Sequence, residues 1–426
     1  MQTLWSSTVS LSLFVLAAII IATIVEIVGR LPLLLRVLLW VILIVYVGLV
    51  CVSSTHFQIR QNPVADHRLA PTRGIRLPQT RQVVLCLSGG GYRAMLFHAG
   101  VLWRLNEAGM LPKLDTISSV SGGSITAAVL AKHWHELDFD ERTGVASNFE
   151  KAVIQPLLSL ADRTIDIPAI VTSVTTPASA TSSLVDSYRK YLFGNMTLLE
   201  LPSRPRFIFH STNLLTGRDW IFSKDAVGDN VTRIESPELN LAVAVAASSA
   251  FPPFLSPLRL DVDRVSAEGE HRVQTAALSD GGVFDNLGVE GFSDSWLLVS
   301  DGSGHSEPTN TVPALWPLQI QRVVDLIYDQ PNSLRRRSIL TDNCIIPRGV
   351  YWSIRSKYSG RYKRWGISEQ KEQELYEIPT RLQKMPDLKR KSLVKWGYIS
   401  ASWRLDDALK SVLLHADKIY PKLSLE

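Results

Sequence analysis

Three short segments hold the residue types needed to break an ester. Ser88-Gly89-Gly90-Gly91-Tyr92-Arg93 supplies backbone N–H groups, Ser119-Val120-Ser121-Gly122-Gly123 a hydroxyl, and Asp280-Gly281-Gly282 a carboxylate. Acyl transfer needs a nucleophile, a base that takes its proton, and donors for the oxyanion that forms at the carbonyl. Ser121 lies between an apolar run and a helical pattern, where a sharp strand-to-helix turn exposes a hydroxyl. Gly122 and Gly123 are small enough for such a turn, and the following helix points its N-terminal dipole at the serine and any oxyanion beside it. An ordinary helix N-cap serine looks the same in isolation, so the segment gains its meaning from the other two.

Three successive glycines can turn their N–H groups inward as an anion-binding nest. The competing use is a phosphate-binding turn, but no lysine follows at P-loop spacing and Ala94 breaks the G-x-G-x-x-G pattern. Gly89, Gly90 and Gly91, joined by Gly122, are therefore expected to form an oxyanion hole for Ser121. Arg93 would anchor the loop or add positive potential, with Gly123, Gly281 and Gly282 in supporting places. Asp280 ends an apolar run, and Asp301 in Ser300-Asp301-Gly302 has a similar look, so the local pattern leaves both in play. Of nine histidines, His98, His210 and His305 lie near these segments, and none completes a Ser…Asp…His order. His98 falls mid-helix and is expected to pack beneath the glycine loop. A carboxylate within reach of the hydroxyl can act as base directly, which makes a Ser–Asp dyad the economical reading.

The elements that must hold these groups are legible around them. Gln82 to Leu87 reads as a buried strand, Ala94 to Ala108 as a helix with apolar spacing at Leu96, Val101, Leu102 and Leu105, Asp115 to Val120 as a strand and Ile125 to Trp134 as a helix. Strand, glycine turn and helix thus occur twice in succession, the sign of a layered α/β fold. Phe207 to Thr212 and Leu297 to Ser300 look like further strands, and Ala242 to Ala250 like a tightly packed helix. Residues 138–200 read as irregular, with Thr172 to Ser183 a loop or lid.

The ends of the chain differ from this middle. Residues 8–28 and 33–52 are two apolar runs joined by Gly29-Arg30-Leu31-Pro32, each near the roughly twenty residues that span a bilayer core of about 30 Å. No Lys or Arg precedes Arg30, which speaks against a cleaved signal peptide, and the expected arrangement over residues 1–55 is a transmembrane helical hairpin. Arg30 and Arg36 draw the turn inward, whereas Arg60, Arg68, Arg73, Arg76 and Arg81 draw the following segment inward. The larger cluster and the scarcity of cysteine favour a cytoplasmic face for the rest of an integral membrane protein. Residues 56–80, with Pro63, Pro71 and Pro78, read as a linker.

The chain has 426 residues, a net charge of +5 and three cysteines, Cys51, Cys86 and Cys344, a set that implies no disulfide framework. Residues 351–400 carry twelve Lys and Arg against five Asp and Glu, a basic bias that suits a solvated helix face or an anionic membrane surface. No His/Cys cluster has metal-ligand spacing. Neither a cofactor nor a nucleic-acid partner is expected.

With these motifs in hand, the chain resembles the patatin-like phospholipases. The resemblance rests on Gly89-Gly90-Gly91-Tyr92-Arg93, on His98-Ala99-Gly100-Val101-Leu102, and on the turn from Ser119 to Gly123. It rests further on Ala246-Ala247-Ser248-Ser249-Ala250-Phe251-Pro252 and Asp280-Gly281-Gly282-Val283-Phe284-Asp285-Asn286. It covers roughly residues 81–304 and implies a three-layer α/β/α fold with a mainly parallel central sheet. A metal-free Ser121–Asp280 dyad acting on carboxylic esters of (lyso)phospholipids or other acyl lipids follows from the same resemblance, as does the choice of Asp280 over Asp301. Ser119 and Ala94 stand where the family usually has glycine. A catalytically weak lipid-binding or scaffold protein on the same fold is the alternative. The expected organisation is a hairpin over 1–55, a linker over 56–80, a catalytic domain over 81–305, and a basic extension over 306–426 packed on that domain.

Overall fold

The computed structural model describes residues 56–59, 82–175, 180–230, 233–235, 237–252, 255–265, 271–304, 349–355 and 369–412, with Val41 and isolated positions between 323 and 337. The apolar runs expected to form a membrane hairpin lie outside the described residues, Val41 apart. Among the described residues no helix is long and apolar enough to cross a membrane. The larger of two compact units, residues 55–173 with 178–426, carries all three motifs.

That larger unit is a mixed α/β structure. Its elements begin with β1 (His56–Ile59), β2 (Val83–Leu87), α1 (Gly91–Glu107), β3 (Thr116–Val120) and α2 (Gly122–His133). They continue with α3 (Gln155–Leu160), α4 (Asp166–Thr175), α5 (Ala180–Tyr188), β4 (Arg206–Asn213), β5 (Arg218–Phe222), β6 (Ala226–Gly228) and β7 (Arg233–Glu235). Then follow α6 (Leu241–Ser248), β8 (Leu258–Val265), β9 (His271–Asp280), α7 (Gly282–Asp285), β10 (Trp296–Asp301), β11 (Gly349–Ser353), α8 (Glu369–Tyr376) and α9 (Asp387–Val412). The strands line up as β1-β8-β9-β4-β3-β2-β10-β11, with β5, β6 and β7 leading off β4.

The expected mainly parallel sheet is corrected to a mixed one. The run β4-β3-β2-β10-β11 is parallel, whereas β9 is antiparallel to both β4 and β8, and β5 to β7 form an antiparallel extension. The cause is the long β8–β9 hairpin, which returns Asp280 to the sheet from the opposite direction.

Side-chain alternation divides the parallel strands between two cores. Leu85, Leu87, Leu298 and Trp352 join the large core with α1, α2, α6 and α9. Val84, Cys86, Leu297, Val299 and Tyr351 face the other way, onto Leu287, with Val289 and Phe292 against them. On this second face lie α7 and the loop after it, with Arg335 set against Asp285, Glu290 and the Phe284 ring.

Three boundaries move. Residues 56–59, expected in a linker, form β1 and pair in parallel with Arg259–Val262. Thr172 to Ser183, expected as a loop, is largely helical in α4 and α5, because Leu184, Val185 and Tyr188 bury one face of α5. A domain end at 305 is too early: β11 extends the sheet beside β10, and α9 packs along α1. There Gly100 faces the Val394 carbonyl and Gly397 the Phe97 carbonyl so closely that no Cβ would fit at either. Trp396 Nε1 donates to the Ile354 carbonyl at 2.7 Å, tying α9 to the end of β11.

Candidate active site

Strand β4 explains why Ser121 and Asp280 meet. His210 of β4 pairs with Val120, the residue before Ser121, and the next residue, Ser211, pairs with Asp280. The strand exchanges one neighbour for another at that point, and both side chains emerge where the exchange occurs. A change of strand partner opens a crevice of the kind that sites in α/β sheets occupy.

Ser121 sits in a tight turn with φ 51 and ψ −117, the one non-glycine residue of positive φ among the described residues. A serine held there is strained, and strain of this kind is kept where the surroundings over-determine it. The surroundings here are backbone. A Cβ on Gly122 would lie 2.2 Å from the Gly91 carbonyl oxygen, and one on Gly123 would lie 2.4 Å from that of Leu87. The serine turn and the glycine loop are thus in direct main-chain contact. A Cβ on Gly89 would lie 3.2 Å from the Ser121 Cβ, which puts the loop beside the hydroxyl-bearing carbon.

The N–H groups expected to serve an oxyanion differ in how they are engaged. The Gly89 N–H is spent on the Asn286 carbonyl at 3.1 Å, and the Ser121 N–H on Ser248 Oγ at 3.0 Å. The N–H groups of Gly90, Gly91 and Gly122 make no hydrogen bond to another described residue. Gly90 and Gly91 have φ 141 and 60, which releases their N–H groups from the strand direction. The Gly89 N–H, expected among the oxyanion donors, is already engaged within the fold.

Asp280 is buried at 3 % exposure. Its Oδ1 accepts the Gly282 N–H at 2.8 Å, and its Oδ2 has no hydrogen-bond partner. Burial pushes its pKa up from 3.8 to about 6, against the pull of the Ser121 hydroxyl and the Gly282 N–H. The Ser121 hydroxyl thus faces the carboxylate without the geometry of a well-formed hydrogen bond. Such bonds often close only when substrate is bound. Asp301, by contrast, is fully engaged: it accepts from the Ser303 N–H and hydroxyl and from the Tyr351 hydroxyl.

Two histidines near the site are occupied elsewhere. His98 Nε2 lies 2.9 Å from the Ser88 carbonyl, which can only accept, so that nitrogen carries the proton and Nδ1 accepts from Ser300 Oγ at 2.8 Å. Burial lowers its pKa to about 4, so the ring is neutral and fastens the glycine loop to β10. His210 stands between Ser118 Oγ at 2.9 Å and Asp219 at 2.8 Å. This row mimics a Ser-His-Asp triad, but Ser118 is fully buried and donates to the Gly288 carbonyl at 2.5 Å. Its hydroxyl must then accept from Nε2–H, and both ring nitrogens hold protons. Burial alone would lower the His210 pKa, yet Asp219 outweighs it and the value is raised. His305 lies outside the described residues.

Arg93 is buried and serves as a clamp. It donates to the Gly302 carbonyl at 3.2 Å, to Thr380 Oγ1 at 3.0 Å, and to the Ile378 carbonyl. Burial lowers its pKa to about 10, which leaves it charged at neutral pH. The segment it grips was invisible to sequence reasoning. The Arg381 carbonyl accepts the Tyr92 N–H at 3.0 Å, and Asp166 holds Arg381 Nε at 2.6 Å and the Leu382 N–H at 3.2 Å. Residues 378–382 are thus a strap across the glycine loop. No local pattern signals a strap, because its partners are more than two hundred residues away. Asn286 was visible only as the end of the Asp280 motif; its Oδ1 lies where a Cβ on either Gly89 or Gly282 would fall. Among the described residues no group of His, Cys, Asp and Glu could hold a metal.

A buried carboxylate facing a strained serine, beside main-chain donors at a helix N-terminus, is the equipment of an acyl-transfer site. Residues 85–293, which hold all three motifs, match the family model described as patatin-like phospholipase. Over that span the chain is similar to the patatin-like phospholipases. Among solved structures the chain is similar to human GIVD cytosolic phospholipase A2, at 12% identity and TM-score 0.47 over 78% of this chain and 62% of that one. It is similar also to VipD from Legionella pneumophila, at 16% identity and TM-score 0.33 over 78% of this chain and 67% of that one. The chain spans less than two thirds of the human structure, and at these values the likenesses add no argument of their own. Comparison with curated proteins returned no match.

Proposed function

We propose that this chain is a serine hydrolase of carboxylic esters in acyl lipids, (lyso)phospholipids among them. Ser121 Oγ attacks the acyl carbonyl while Asp280 Oδ2 takes its proton. The N–H groups of Gly90, Gly91 and Gly122 hold the oxyanion, and on collapse Asp280 returns the proton to the departing alcohol. A water, deprotonated by the same carboxylate, then cleaves the acyl-serine and restores the hydroxyl. The observation that carries this reading is the unpartnered Oδ2 of a buried aspartate next to a serine of positive φ.

The setting we propose is a membrane. The apolar runs 8–28 and 33–52 would anchor the chain as a hairpin, and the arginines after residue 59 would keep the hydrolase domain on the cytoplasmic face. Alkaline carbonate extraction of membranes holding the full chain tests the anchor: retention is expected, and release into the supernatant refutes it.

The activity is tested with 4-nitrophenyl butyrate and with lysophospholipid vesicles. Wild type should release product, and Ser121→Ala and Asp280→Asn should lose at least a hundredfold in kcat while remaining folded. Full activity in both variants would overturn the dyad. Ser119 and Ala94, standing where the patatin-like family usually has glycine, favour the second reading, a lipid-binding protein with little turnover. That reading predicts vesicle binding without product in the same assay.

A further inference from the structure

Ser248, the last residue of α6, touches both halves of the site. Its Oγ accepts the Ser121 N–H at 3.0 Å, and its carbonyl accepts the N–H of Gly281, the residue after Asp280, at 3.2 Å. Two residues on, the Ala250 carbonyl accepts the Asp280 N–H at 2.9 Å. The Ser248 hydroxyl continues into Ser124 Oγ at 2.8 Å, which reaches Ser119 Oγ at 3.2 Å, which donates to the Ile208 carbonyl at 3.0 Å.

A hydroxyl has one proton, so the direction of this row follows from its end. The Ile208 carbonyl only accepts, so Ser119 donates to it and must accept from Ser124. Ser124 must then accept from Ser248, which leaves the Ser248 lone pairs for the Ser121 N–H. All three hydroxyls lie at 0 % exposure, where water cannot replace a missing partner. Each hydroxyl therefore fixes the orientation of the next, and the row ends on the main chain of the strained serine.

We propose that Ser248 is a positioning residue that sets the separation of Ser121 and Asp280, with Ser124 and Ser119 orienting its hydroxyl. The inference rests on reading those two residues as the dyad. It assigns Ser119 a task at the foot of the row. Removing the Ser248 hydroxyl leaves the Ser121 N–H buried without an acceptor, so the φ of 51 loses its side-chain support.

The test measures kcat, KM and melting temperature for Ser248→Ala, Ser124→Ala and Ser119→Ala, with Ser121→Ala as the control. The expected result is a graded loss of kcat, roughly tenfold or more for Ser248→Ala and smaller at each further link, with KM within twofold. A role in general packing would lower the melting temperature of all three without that order in kcat. Unchanged kcat in Ser248→Ala, equal losses along the row, or a change confined to KM would overturn the proposal. If Ser248→Ala does not fold, the order of the other two decides: Ser119→Ala falling as far as Ser124→Ala, or further, refutes it. Retained turnover in Ser121→Ala would instead remove the nucleophile assignment, a distinct failure.

Discussion

Replacing Asp280 by asparagine should make the protein more stable while abolishing its activity. The buried carboxyl has its pKa raised by desolvation from 3.8 to about 6. That is a shift of roughly two units, or ~3 kcal/mol at about 1.4 kcal/mol per unit. Because the folded value lies above the unfolded one, this group's favourable contribution is fully present below pH 3.8. It is lost as pH rises through about 6. At pH 7.5 the wild type bears an ionised carboxylate whose Oδ2 has no donor, and Asp280→Asn relieves that cost while keeping an acceptor for the Gly282 N–H. Thermal melts at pH 7.5 and 4.0 are the assay. The variant should melt higher at pH 7.5, and the difference should shrink toward zero at pH 4.0. The same ionisation governs catalysis, so kcat/KM of the wild type should rise about tenfold per pH unit below 6 and level above 7. A variant less stable than wild type at pH 7.5, or a kcat/KM flat from pH 4.5 to 7, would refute the reasoning.

Three further outcomes are expected. Gly122→Ala places a Cβ 2.2 Å from the Gly91 carbonyl oxygen, so the glycine loop must retreat from Ser121. Since loss of an oxyanion donor costs about 10²–10³ in rate, kcat in an ester assay should fall by that order with the fold retained by circular dichroism. Asp166→Asn weakens the grip on Arg381 and Leu382, which should cost roughly 1–3 kcal/mol in a denaturant melt and expose residues 378–382 to limited proteolysis. His210 has its folded pKa raised by Asp219 in spite of burial, so the stability of that pair is complete below the ordinary 6.5 and lost as pH rises through the folded value. Asp219→Asn should therefore lower the melting temperature more at pH 6 than at pH 9.

What could be read in the sequence is what the chain encodes locally. The two strand–glycine–helix units around Gly89 and Ser121 announce themselves because apolar runs, small residues and helical spacing lie within about fifty positions. Asp280 shows as a carboxylate at the end of an apolar run for the same reason. The relation between Ser121 and Asp280 is not local. It comes from β4, whose residues His210 and Ser211 choose different neighbours, and register between distant strands leaves no mark in either segment. The spent N–H of Gly89 had the same cause, since its acceptor, the Asn286 carbonyl, lies some two hundred residues on. Asp301 resembles Asp280 in its local pattern alone, and in the fold Ser303 and Tyr351 occupy its oxygens. The helical character of Ala180 to Ser183 is hidden in the sequence because serine and threonine mask the start of a helix whose apolar face, Leu184, Val185 and Tyr188, lies beyond them.

The central claim is that Ser121 is the nucleophile and that Asp280 activates it. Reaction with a fluorophosphonate ester, followed by peptide mass mapping, tests it most directly, because phosphonylation requires an activated hydroxyl but no lipid substrate. The account predicts a single stoichiometric adduct on Ser121, absent from Ser121→Ala and formed at least a hundredfold more slowly in Asp280→Asn. An adduct on another serine, or equal rates in wild type and Asp280→Asn, would contradict it.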